Sequence, residues 1–132
     1  MRKIVLLSIK PDFAEKILCG EKRFEFRRAL FRDETVRRVI VYASSPVCRV
    51  VGEFDVEDIL SMPMHALWRK TRQESGVSWQ LFSEYFKGKR ECHAIKVANP
   101  VRYKEPVPLR EAVGLECPPQ SFAYVENTFH HR

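Results

Sequence analysis

The hydrophobic period changes twice within the first 27 residues, and few folds accept such a succession. Lys3–Ile9 is a continuous apolar run, the pattern of a strand buried on both faces. Pro11 then opens a short helix that presents Phe13, Ala14, Ile17 and Leu18 on one side and stops at Gly20, suited to a left-handed cap. From Arg23 the period becomes two, with Phe24 and Phe26 on one face and Arg23, Glu25 and Arg27 on the other, which predicts a half-buried strand.

Arg38–Ala43 and Arg49–Val56 read as further strands separated by the turn Ser44-Ser45-Pro46. Two helices come next. One carries Met64, Leu67, Trp68 and Thr71, and the other starts near Ser78 and carries Leu81, Phe82, Tyr85 and Phe86; Glu74-Ser75-Gly76 joins them. Cys92–Val97 returns to strand, prolines at 100, 106, 108, 118 and 119 punctuate the C-terminal third, and Ser121–Val125 predicts a last short strand. Strands at both ends with helices between define an α+β domain. Many short strands in a small chain tend to curl into a barrel. Its interior would hold Phe24, Phe26, Val39, Val41, Val51, Phe54, Ile95 and Val97. At ~1.5–3 kcal/mol per buried large side chain, these suffice without a metal or disulfide.

At 132 residues the chain is a single domain, 1–132, with the proline-punctuated stretch 100–132 as part of it. No secretory h-region opens it and no apolar run approaches ~20 residues, so no membrane partner is expected. Cys19, Cys48, Cys92 and Cys117 have neither metal-knuckle nor redox-dithiol spacing, which predicts reduced thiols and a cytoplasmic location. Cys19 abuts the Gly20 cap as a packing residue. His65, His93, His130 and His131 form no metal set, and no glycine-rich phosphate loop exists, so neither a metal nor a cofactor is expected. Trp68 and Trp79 read as core or helix-docking residues.

The net charge is +6, and seven basic against three acidic residues fall between Lys22 and Arg38. Such a field suits a polyanion, although a solvated charged surface has the same composition. Within this stretch, strict alternation would turn Lys22 toward Phe24 and Phe26. An ammonium there must sit at a mouth, where partial desolvation lowers its pKa and makes it a nucleophile or base. The bland alternative is a surface lysine beside a Glu25–Arg27 pair.

Gly20-x-Lys22-x-x-Glu25-x-Arg27 resembles the G-x-K-x-x-E-x-R signature of the ASCH domain family, a PUA-like group related to RNA-binding modules. Leu6-Leu7-Ser8-Ile9-Lys10-Pro11, Tyr42-Ala43-Ser44-Ser45-Pro46 and Val51-Gly52-Glu53-Phe54 are similar to its successive strands and loops. Pro118-Pro119-Gln120-Ser121-Phe122 resembles the closing segment of a bacterial and phage subgroup described as predicted transcriptional regulators.

The resemblance implies a small, partly open β-barrel with helices closing one end and a cleft that binds RNA or a nucleotide. Ser8, Lys10, Lys22, Arg27, Ser44 and Ser45 would contact phosphate, sugar or base edges, beside Glu25. Tyr42 would stack a base or else pack in the core. It also implies two catalytic alternatives. Some small bacterial members hydrolyse the amide of N4-acetylcytidine with a lysine, a threonine and a glutamate. Lys22 and Glu74 match the first and last, but Glu25 stands where the threonine would be, and a carboxylate beside Lys22 would hold it as an ammonium. Ribonuclease activity would use Lys22 to stabilise a phosphorane and Glu25 or Glu74 as base.

Overall fold

A computed structural model describes residues 4–126, so Lys3, His130 and His131 lie outside the described residues. Six strands, β1 (Ile4–Ile9), β2 (Phe24–Arg27), β3 (Arg38–Ala43), β4 (Arg49–Met62), β5 (Cys92–Val107) and β6 (Phe122–Val125), form one sheet in the order β2-β5-β4-β3-β1-β6. Only β1 and β3 pair in parallel; the other neighbours are antiparallel. The helices are α1 (Pro11–Leu18), α2 (Met64–Thr71), α3 (Trp79–Tyr85) and α4 (Leu109–Val113). This is an α+β architecture.

The apolar run of β1 is buried on both faces, as its continuity requires. Val5, Leu7 and Ile9 join Ile17, Val39, Val41, Phe54, Ile95 and Val97 in one cluster, while Ile4 and Leu6 join Ile40, Tyr42, Tyr103 and Leu109 in a second. Helix α1 buries Ala14, Ile17 and Leu18, has Pro11 in its first turn, and is followed by Gly20 at φ +89°. Helix α3 starts at Ser78, whose Oγ accepts a hydrogen bond from the Leu81 N–H at 3.1 Å.

The sheet does not close into a barrel. Strands β2 and β6 are its edges, and a side chain of β2, Arg27, spans the gap between them where a ladder would have run. Phe24 and Phe26 consequently do not fill a barrel interior. They pack in a third cluster beneath α2 and α3, with Leu67, Phe82 and Phe86. Strand β2 is buried along its whole length rather than half-buried.

Two further departures concern proline. Strand β5 runs through Pro100 and Pro106 instead of stopping at Val97, because Asn99 and Pro100 lie where the β4–β5 register slips between Glu53/Val101 and Asp55/Ala98. A proline at a bulge has no ladder N–H to forfeit. Helix α4, not foreseen, has Pro108 as its N-cap residue and ends at Gly114, φ +78°.

Candidate functional site

The gap between β2 and the β1–β6 edge is a cavity of about 310 Å³. Its polar lining is Ser8, Lys10, Lys22, Glu25, Arg27 and Gln120, and its apolar lining comes from Phe13 and Ile9 on one side and Phe26, Val77, Leu81, Phe82 and Tyr85 on the other. Each group arrives by a different local route.

Lys22 precedes β2 and is held by its backbone, whose N–H donates to the Lys16 carbonyl at 2.9 Å, so strand alternation does not govern it. Its side chain is 1% exposed. The Nζ donates to the Ser75 carbonyl at 2.8 Å and lies 4.4 Å from the Phe26 ring centroid and 5.5 Å from that of Phe13. The Ser75-Gly76 turn closes over the aliphatic stem: Gly76 has φ +71°, and a Cβ there would sit 2.7 Å from the Lys22 Cβ. Burial pushes the amine down to about 8, against the opposing attraction of Glu25 and with a smaller contribution from Lys16. Glu25 thus favours the ammonium as expected, but loss of water outweighs one carboxylate, so the amine stays charged at neutral pH and releases its proton near pH 8 rather than near 10.5.

Glu25 and Arg27 share a face of β2, both nearly buried, with Arg27 Nη1 3.1 Å from Glu25 Oε2. The same Nη1 donates to the Ser8 carbonyl at 3.2 Å, and Nη2 donates to the carbonyl and Oγ of Ser121 at 2.9 and 3.1 Å. Arg27 thus ties β2 to both β1 and the approach to β6, and its donors are turned to protein oxygens. Ser8 Oγ donates to the Pro119 carbonyl at 2.7 Å, which lays the C-terminal segment along the cavity and brings Gln120 to its wall. Lys10 is exposed at the rim.

Five expected residues therefore converge: Ser8, Lys10, Lys22, Glu25 and Arg27. Four do not line the cavity. Tyr42 is buried in the second apolar cluster, Ser44 and Ser45 belong to the turn after β3, and the Glu74 carboxylate pairs with Arg23 at 3.8 Å in a half-exposed position. Sequence reasoning missed Phe13, Gln120, Leu81 and Tyr85 as lining. Leu81 and Tyr85 were expected on the packed face of α3, yet they are 45% and 40% exposed. The Tyr85 hydroxyl accepts from the Arg28 N–H and donates to the Phe26 carbonyl, both at 3.2 Å, capping the free edge of β2. Burial raises its pKa. The visible signal was the width of the α3 apolar arc, wider than one packed face needs.

Among the described residues no group of three or more His, Cys, Asp or Glu is placed to hold a metal, and no helix is long and apolar enough to cross a membrane.

An open mixed sheet flanked by helices, with a basic and aromatic cleft at one edge, defines a PUA-like α+β domain. The chain belongs to the ASCH domain family, whose sequence model matches residues 7–106. It is 31% identical over 126 residues to a protein of Zymomonas mobilis named "ASCH domain-containing ribonuclease", covering 94% of this chain and 85% of that one. It is similar to the crystal structure of the ASCH protein from Zymomonas mobilis, with a TM-score of 0.86 and 29% identity over 96% of this chain and 90% of that one. It is also 34% identical over 123 residues to a large ribosomal subunit protein uL22 of Ureaplasma parvum, there spanning only 39% of the longer protein.

Proposed function

We propose that this chain binds single-stranded RNA at the cavity and cleaves its backbone, with Lys22 transferring the proton. The observation that carries this reading is an amine 1% exposed, lodged over Phe26 and close to Glu25, in a cavity on the scale of small-ligand pockets. Near pH 8 such an amine is divided between its two protonation states, the condition for a general base. The neutral amine takes the proton of a 2′-hydroxyl, and that oxygen bonds to the adjacent phosphorus as the bond from phosphorus to the 5′-oxygen breaks. The leaving oxygen receives a proton from the resulting ammonium, giving a 2′,3′-cyclic phosphate and a 5′-hydroxyl end. Phe13 and Tyr85 offer faces for a base, and Lys10 a cation for phosphate at the rim. Arg27 is a positioning residue. The relative named a ribonuclease supports this class of activity. The four cysteines, all free, suit a cytoplasmic site of action.

Deacetylation of N4-acetylcytidine would need Glu74 at the amine, and its carboxylate faces Arg23 instead. One experiment separates the readings: RNA and DNA versions of one oligonucleotide are incubated with the protein and with Lys22→Met, and ends are identified by mass. Cutting of RNA alone, cyclic phosphate ends, a rate rising with pH to a plateau above about 8, and a loss of at least ~100-fold in Lys22→Met are expected. Cutting that persists in the variant, or equal cutting of DNA, overturns it. Salt-sensitive binding without cutting would make the chain an RNA-binding regulator, and acetate released from N4-acetylcytidine would make it an amidohydrolase.

A further inference from the structure

Trp79 begins α3 with 39% of its surface exposed, although it has aromatic neighbours that could have buried it. Its ring lies 5.6 Å from that of Trp68, 5.2 Å from His65 and 6.0 Å from Phe82, near-parallel to the last. Trp68 docks α2 onto Phe82 at 4.9 Å, so the helix contact does not depend on the outer face of Trp79. Residues three, four and seven positions apart share a helix stripe. Arg69 follows His65 by four, and Arg72 follows Trp68 by four, which places both arginines along the stripe that borders Trp79.

Of the twelve described arginines four are exposed with no oxygen partner among the described residues, Arg32, Arg69, Arg72 and Arg90, and two of these, Arg69 and Arg72, fall on the stripe beside Trp79. Arg23, Arg27, Arg28, Arg37, Arg38, Arg49, Arg102 and Arg110 are each engaged by protein oxygens. The guanidinium groups of Arg69 and Arg72 are exposed and make no hydrogen bond or ion pair among the described residues. The one carboxylate nearby in sequence, Glu74, is paired with Arg23, and Glu84 of α3 is turned about 140° around the helix from Trp79.

We infer that Trp79, with Arg69 and Arg72, is a second subsite for single-stranded RNA, stacking one base on the indole while the guanidinium groups meet its phosphates. An aromatic face flanked by free cations is what a single strand engages without sequence preference. Phe82 lines the cavity and also touches Trp79, so the subsite adjoins the cleft through one shared ring. This rests on the RNA reading above and adds to it that the protein holds more of the strand than one nucleotide.

The test uses 2′-O-methyl oligouridylates of two and twelve nucleotides, which present bases and phosphates but no free 2′-hydroxyl. Binding is followed by fluorescence anisotropy with the parent, Trp79→Ala, Trp79→Phe and the double variant Arg69→Gln/Arg72→Gln. Trp79→Ala should weaken the twelve-mer by between about fivefold and a hundredfold and leave the dinucleotide unchanged, with Trp79→Phe recovering most of the loss. The double variant, whose two exposed changes spare the core, should lower the slope of log affinity against log salt by roughly 1 to 1.5. If both lengths respond equally, or neither does, or the double variant leaves the slope unchanged, the inference is overturned. If the parent binds the twelve-mer through Trp79 but cuts no RNA, the subsite stands and the nuclease reading fails. If it binds neither oligonucleotide, both fail.

Discussion

Lys22 brings a charge into a place where water does not follow, and its aliphatic stem and its amine are held by different things. The stem is enclosed by Gly76, and the amine by the Ser75 carbonyl and the Phe26 ring. Because burial lowers its pKa from 10.5 to about 8, the unfolded chain holds this proton between those values while the folded one has released it. Stability should therefore rise from about pH 8 to 10.5, and the slope should vanish below about 8, where both states are protonated. The fall from 10.5 to about 8 corresponds to roughly 3 kcal/mol. Lys22→Met should be more stable than the parent at pH 7 by roughly 1–2 kcal/mol, the lost bond to Ser75 offsetting part of the gain, and should show no rise at alkaline pH. Urea unfolding at pH 7 and pH 10 reads both. Glycine gives a companion test. Gly76 and Gly88 both have positive φ, +71° and +83°, but only at Gly76 would a Cβ strike a neighbour. Gly88→Ala should cost about 1–2 kcal/mol of backbone strain and leave the proposed RNA cleavage intact. Gly76→Ala should cost more and also reduce cleavage at least ~10-fold, because the lysine must shift. Thermal melts and initial rates on the two variants decide this.

Among the elements, β2 is the one whose character differs most from its pattern. Alternation correctly put Glu25 and Arg27 together and apart from Phe24 and Phe26, because side-chain facing in a strand is a local property. It also gave Lys22 its neighbour, Phe26, although Lys22 lies outside the ladder and is held there by its backbone; what it could not show is that both faces of β2 are covered, since α2 and α3 come from residues some forty to sixty positions away. The same division holds elsewhere. The α1 boundaries were legible from Pro11 and Gly20, whereas the passage of β5 through Pro100 depends on a bulge against β4, and the burial of Tyr42 depends on α4. Of the site, the β1 and β2 contributions could be read from local spacing and family resemblance; Tyr85 and Leu81 could not, because only the docking of α3 distinguishes its packed side from its cavity side. The edge position of β2 also makes Arg27 a structural residue. Arg27→Met leaves the Glu25 carboxylate buried without its cation and should destabilise by roughly 3–5 kcal/mol, while adding Glu25→Met should restore much of that. A double-mutant cycle by chemical denaturation measures the coupling, expected to be at least ~1 kcal/mol.

For the whole molecule, the open sheet means that the cavity wall is completed by the last strand to arrive. Strand β6 has four residues, pairs only with β1, and is nowhere fully buried, whereas β3 is buried along nearly all its length between two partners. Edge elements with few buried contacts open at lower free energy than central ones. Yet this weak edge is directly preceded by Ser121, which anchors the Arg27 guanidinium, by Gln120 in the cavity wall and by Pro119, which holds Ser8. Opening of residues 119–125 and exposure of the cavity are thus one event. Hydrogen exchange should show the β6 amides exchanging faster than those of β3 by one or more orders of magnitude. A nucleotide bound in the cavity must suppress that opening in proportion to its occupancy, since a ligand that touches Gln120 favours the closed edge. Addition of uridine 3′-monophosphate at ten times its dissociation constant should slow exchange in β6 about tenfold and leave β3 unchanged. Protection appearing in β3 and β4 but not in β6 would place the nucleotide away from this edge, and the cavity would lose its role.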